Sequence, residues 1–465
     1  MSELPKGWVE TTIGSLILNM IGGASPKKEN YSTSGTLALN KGDIKENGII
    51  KVKEHANYLP QEFVEKHASK KVTKGAILVT LRDLSQKADF LGLISTYRGI
   101  DDALITQGMY ALNTSEIILN DLLVLYSNTA FYRSYVKQQK VGATQVHLRN
   151  EQFLNIPFPL APLAEQRRIV EKLDQVLAQV DTIKTRLDGI PTILKRFRQS
   201  VLAAAVSGQL TGGWRESNKL PLPQDIKLGQ IICEGPQNGL YKAQSFYGEG
   251  VRIIRIDGFY DGEIVDWSKV KRLSLEDSEY FRWKLETGDI LVNRVNSIEY
   301  LGKSAIVREL PEPTVFESNI MKFKVNPDTA NPEYIVRFLC SSTGLSELRS
   351  NAKLAVNQAS INQQDIKNCS IYLPALQEQT EIVRLVDQYF AFADTIEAQV
   401  QKAQQRVDKL TQSILAKAFR GKLVPQDPND EPADELLKRI ATARAEAEAL
   451  AKAAKKATKK TSKKA

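Results

Sequence analysis

Pro162–Ile183 reads PLAEQRRIVEKLDQVLAQVDTI, and Leu373–Ile396 reads LPALQEQTEIVRLVDQYFAFADTI. Glu165-Gln166 recur as Glu378-Gln379, and Asp181-Thr182-Ile183 as Asp394-Thr395-Ile396, each 213 residues later. In the first copy Ile169, Leu173, Val176, Val180, Ile183, Leu187, Ile190, Leu194, Phe197 and Val201 are spaced alternately four and three. Ile382, Val386, Tyr389, Ala393, Ile396, Val400, Ala403, Val407, Leu410 and Ile414 keep that register in the second. A stripe at ~3.5 residues per contact keeps one helix face on a partner, as in a coiled-coil seam. One such helix would be read as packing on its own domain. Two matched copies point to pairing with each other. Pro191 lies inside the first copy and is expected to kink or break it near Gly189.

The repeat extends outward from the helices. TKGAILV (Thr73–Val79) corresponds to ETGDILV (Glu286–Val292), GATQVHLRNEQF (Gly142–Phe153) to AVNQASINQQDI (Ala355–Ile366), and AVSGQL (Ala205–Leu210) to AFRGKL (Ala418–Leu423). Each copy begins with short β-branched and aromatic runs broken by Gly, Asn and Asp, which read as strands and turns. Helical stretches follow at Asn120–Gln139 and Pro332–Leu348. The fold class is therefore α+β: two compact α/β domains separated by a two-helix coiled coil, with a pseudo-two-fold internal repeat. Because a domain's termini usually lie close together, the second helix is expected to return antiparallel to the first. A rod of ~32 residues at ~1.5 Å each would then space the domains by roughly 45–50 Å. B-DNA presents the same face every ~34–36 Å, so two unlike heads on such a rod suit a split, asymmetric site.

Bulk composition narrows the class. At 465 residues the chain exceeds one core, and no apolar run approaches a membrane span. The start, MSELPKGWVE, lacks the pattern of a secretory signal. Three scattered cysteines, Cys233, Cys340 and Cys369, are expected to be reduced core thiols. The net charge of +9 is concentrated at the end, where one Arg, seven Lys and two Glu follow from Arg444 onward. The body is thus nearly neutral, and pI is weak support for nucleic-acid binding.

Enzyme motifs fail on inspection. Gly302-Lys303-Ser304 resembles the end of a phosphate loop, but the required upstream glycine position holds Ser297. Asn331-Pro332-Glu333-Tyr334 is better explained as a helix N-cap with proline at the first helical position. His55, His67 and His147 have no metal-ligand spacing. No catalytic or metal site is expected.

The segments LPKGWVETTIG, PLAEQRRIVEKLDQVLAQVDTIKTRLDGIPTILKRFRQSVLAAAVSGQLT, PALQEQTEIV and AFRGKLVPQDPNDEPA resemble, in order and across nearly the whole chain, the specificity (S) subunits of type I restriction–modification systems. The resemblance implies target-recognition domains at 1–158 and 213–371, and spacer helices at 159–212 and 372–425. Residues 426–465 then hold a C-terminal helix and a disordered Lys-rich tail. It also implies a cytoplasmic, non-catalytic subunit that reads double-stranded DNA in the major groove. Two methyltransferase (M) and two restriction/translocation (R) subunits are the implied partners. S-adenosylmethionine, ATP and Mg2+ belong to those partners, and no cofactor to this subunit. A coiled-coil adaptor with protein-binding end domains is the alternative that the low body charge would favour.

Base readout needs paired donors or acceptors on rigid supports, and phosphate contact needs cations or N–H groups. The loop after TKGAILV offers Arg82, Asp83, Ser85, Gln86 and Lys87; its equivalent offers Asn293, Arg294, Asn296, Ser297, Tyr300 and Lys303. Asn40, with Lys41 beside it, and Arg255 stand at similar strand ends. Gln145 and Gln358 match in position and are candidates for DNA contact or, more simply, helix capping. Arg133, Lys137 and Lys140 lie at helical spacing and are candidates for phosphate contact or, equally, for a solvated helix face. Glu165, Gln166, Asp181, Glu378, Gln379 and Asp394 are expected to pair the helices or seat the M subunits.

Overall fold

The computed structural model describes residues 4–45, 48–52, 56–114, 119–264, 267–356 and 358–461. It divides into two compact units, Met1–Arg186 with Ala403–Ala465, and Leu187–Lys402. Each globular part thus shares a unit with part of each long helix.

In the first unit an antiparallel sheet runs in the order Ile94–Thr96, Ile77–Thr80, Met109–Thr114, Ile17–Gly22. In the second the order is Ser304–Ile306, Ile290–Asn293, Ile320–Val325, Ile232–Asn238, again antiparallel. The repeated apolar run explains itself here. Ile77 and Val79 enter one core and Leu78 another; Ile290 and Val292 enter one core and Leu291 another. Alternate side chains leave opposite faces of a strand, so a strand covered on both faces must be apolar throughout.

A second sheet in each unit contains one parallel pair, Ala103↔Leu37 in the first and Arg252↔Thr314 in the second. The predicted helix Asn120–Gln139 is two helices, Asn120–Ser127 and Ala130–Gln139, because the Thr129 hydroxyl caps the latter. Pro332–Leu348 likewise divides at Ser341, whose hydroxyl accepts from Gly344 N. Asn331 caps the first of these two helices, with Pro332 following it, as its sequence implied.

The long helices span Leu163–Val206 and Leu376–Ala418. In the first unit Ile169, Leu173 and Val180 share a core with Ile414, Leu415 and Ala418, and Lys184 pairs with Asp408 at 3.2 Å. In the second, Val201, Leu202 and Ala205 share a core with Ile382 and Val386, and Arg198 pairs with Asp394 at 2.6 Å. In each unit, contacts nearer one helix's start lie nearer the other's end, so the pairing is antiparallel. The seam is tight at Leu173 and Val386 and opens at Ile183 and Leu410.

Three expectations change. Pro191 does not break its helix, which continues to Val206. Its missing N–H is tolerated because packed turns at Leu194 and Val201 hold the helix beyond it. The expected C-terminal helix runs from Ala433 to Thr461 and takes in most of the lysine run expected to be disordered, in keeping with the helix propensity of Ala and Lys. Ser462–Ala465 lie outside the described residues. Cys233 is exposed, unlike buried Cys369, because register shifts in its strand turn it out of the sheet.

Candidate nucleic-acid interface

The loop strand of each unit is held in the same register. Asp83 pairs with Val146 and Arg82 with His147; Asn296 pairs with Ala359 and Val295 with Ser360. Adding the repeat offset to the first set gives the second, residue for residue. This ladder brings the exposed Gln145 and Gln358 beside the two loops. Neither caps a helix. Arg149 and Asn362 are the caps of the following helices, and Gln145 and Gln358 belong to the turn and strand before them.

In the first unit Arg82, Ser85, Gln86 and Lys87 are exposed. Asp83 is not available to DNA: it is buried, accepting from Ser85 N at 2.9 Å and Phe90 N at 3.1 Å, and so shapes the loop. Arg133 is committed to the same loop. Its guanidinium donates to the carbonyls of Leu91, Ala88 and Asp89. Lys137 pairs with Asp89, and Lys140 donates to Gln86 O. All three cations brace the loop.

In the second unit Asn293 is fully buried, which removes it as a direct contact. Arg294 donates to Ser318 O at 3.2 Å, and Asn296 caps the loop at Ser297 N. Tyr300 is exposed. Lys303 is half-buried; it donates to Ile256 O at 2.6 Å and sits 3.8 Å from the Tyr260 ring centroid. Burial lowers its pKa, and its head group pins the loop to the adjacent strand end.

Those strand ends are built alike. Asn40 Nδ2 donates to Ala38 O, while Asn40 Oδ1 accepts from the Thr106 hydroxyl at 3.0 Å. These bonds fix the plane of its amide and leave one N–H and one lone pair uncommitted; Lys41 beside it is half-buried. At the equivalent place Arg255 donates from Nε to Glu317 at 3.3 Å. Nothing local in the sequence marks Thr106 or Glu317. Loop-length differences shift their offset to 211, and only the matching bridges Ala24↔Thr106 and Leu240↔Glu317 align them. Gly23 and Gly239 permit these bridges. A Cβ on Gly23 would lie 2.1 Å from Thr106 O, and one on Gly239 would lie 2.2 Å from Glu317 O.

The helix starts serve each unit's interior. Gln166 donates to Ala161 O and Gln379 to Pro374 O, again one repeat apart. Glu165 accepts from Trp8 Nε1 at 2.9 Å and faces Gln426, just past the end of the other helix. Burial raises the Glu165 pKa, opposed by Trp8 and Arg168. Glu378 accepts from Thr211 Oγ1 at 2.6 Å and from Arg215. All four side chains are fully buried, so none presents a surface to an M subunit. Asp394 does pair the helices, through Arg198, while Asp181 is exposed. His67 bonds the Phe63 carbonyl and His147 lies in the loop ladder. His55 lies outside the described residues.

A family model described as the type I restriction modification DNA specificity domain matches residues 5–192 and 232–404. The specificity subunit of the type I restriction enzyme StySPI from Salmonella potsdam is 34% identical over 428 residues, covering 91% of each chain. That of EcoKI from Escherichia coli strain K12 is 34% identical over 439 residues, also covering 91% of each. Two solved structures share the fold. A chain in one, described as the structural basis of complex assembly and conformational transition of the type I R-M system, aligns with a TM-score of 0.67 at 19% identity, over 91% of this chain and 100% of that one. The HsdS subunit from Thermoanaerobacter tengcongensis aligns with a TM-score of 0.52 at 20% identity, over 90% and 98%.

Proposed function

This chain belongs to the family of type I restriction–modification DNA specificity subunits, and we propose that each of its two units reads one half of a split double-stranded DNA site through the major groove. The observation that carries this is the shared ladder. Asp83↔Val146 and Asn296↔Ala359 hold two loops in one register, yet the side chains they display differ. A common support with unlike readout is what an asymmetric target requires.

The paired helices set the interval between the half-sites and, on their outward faces, seat two M subunits, to which two R subunits add. The chain supplies no catalysis. S-adenosylmethionine, ATP and Mg2+ act in the partners, within the cytoplasm. Sequencing of methylated adenines in DNA exposed to the reconstituted S–M assembly tests this. A two-part motif with a fixed gap is the expected result, with affinity falling steeply as salt rises. Absence of any split-site preference among randomised duplexes overturns it and favours the adaptor reading.

A further inference from the structure

We propose that Arg255 reads a guanine in the half-site bound by the second unit, and that Glu317 is the residue that positions it. This rests on the DNA-specificity reading above. Arg255 follows directly on the strand Tyr247–Ile254, at the end of its parallel pairing with Thr314–Phe316. Its side chain is 34% exposed, whereas that of Glu317 is 12% exposed. Glu317 is held from below, accepting from Ile256 N at 2.6 Å, and takes the Arg255 Nε at 3.3 Å.

A carboxylate on Nε orients the guanidinium plane and leaves its terminal amino groups uncommitted. Among the described residues those groups donate to no other partner. Two coplanar N–H donors on a fixed stem match O6 and N7 of guanine in the major groove. The surroundings keep competitors away. Lys303 is drawn onto Ile256 O and the Tyr260 ring, and Arg294 donates to Ser318 O. In the first unit the same place holds Asn40 and Thr106, with both ends of the Asn40 amide engaged. No guanidinium stands at this position in the first unit, so this particular contact is assigned to the second.

The test uses the assembled S–M complex on randomised duplexes, with wild type, Arg255→Ala, Arg255→Lys and Glu317→Gln, each checked by thermal melting. The expected wild-type motif has a G·C pair in one half that Arg255→Ala relaxes by about 5- to 150-fold. The other half should be unchanged. Arg255→Lys keeps the charge but not the fork and should not restore the preference. Glu317→Gln should weaken selection at that same pair. The proposal is overturned if Arg255→Ala retains the guanine. It is equally overturned if that variant weakens all sequences alike with a shallower salt slope, the signature of a phosphate contact. Should Arg255→Ala not assemble, Arg255→Lys decides, and a retained guanine preference refutes the idea. Failure of the wild type to select any split site would instead refute the functional reading itself.

Discussion

Arg215 donates from Nε and Nη2 to Glu378, a carboxylate with no solvent exposure at the start of the second long helix. Arg215 lies just past the end of the first helix. Their contact closes the antiparallel pair within the second unit, as Glu165 and Gln426 do within the first.

Removing one partner of a buried ion pair strands the other. Arg215→Ala should destabilise the second unit by about 3 kcal/mol, because Glu378 keeps its burial and loses its cation. Chemical denaturation measures this. A loss near zero would mean that Thr211 alone satisfies the carboxylate.

Two glutamates should give opposite pH signatures. The Glu165 pKa is raised above 4.5 by burial, so the folded state holds its proton more tightly. Its contribution is fully present below 4.5 and declines as pH rises through the raised value. Glu286 is held at about 2 by Lys284 and Lys324. Its contribution is present above 4.5 and is lost as pH falls from 4.5 towards about 2. Melting curves across pH 2–7 should show Glu165→Gln flattening the first dependence and Glu286→Gln the second.

Gly23→Ala and Gly239→Ala should each damage one half of the recognised motif. The new Cβ would meet backbone oxygen at 2.1 Å and 2.2 Å, so the strand carrying Thr106 or Glu317 must shift. Motif selection by the S–M assembly should lose preference in a different half for each variant. Loss of both halves by either one would contradict independent units.

Arg133→Ala removes donors to three loop carbonyls. The loop at 84–91 should exchange its amide hydrogens faster, and discrimination in the first unit's half-site should fall. Global stability should change less than the loop does.

Pro191→Ala should stabilise the second unit by roughly 1–3 kcal/mol, since it restores a helical N–H and removes a ring clash. Urea melting checks the sign. A loss of stability would show that the proline relieves strain in its helix.

Most of the architecture is legible in the repeat. Leu173, Val386 and their neighbours advertise a paired helix because a seam's period is written along one chain segment. The GAILV and GDILV runs advertise strands covered on both faces. The site was less legible. Asp83 and Asn293 are polar residues in polar loops, and nothing nearby in sequence says that both are buried. Arg133 is a cation on a helix face, and only the fold reveals the three carbonyls waiting for it.

By itself, the sequence determined that two similar α/β units recur with two matched helices, because periodicity and local propensity reside in consecutive residues. Tertiary structure alone decided that Glu165, Gln166, Glu378 and Gln379 face inward, and that Glu317 meets Arg255 across 62 positions of chain. Such partners lie far apart along the backbone. Their meeting depends on strand register and loop length, which no local pattern encodes.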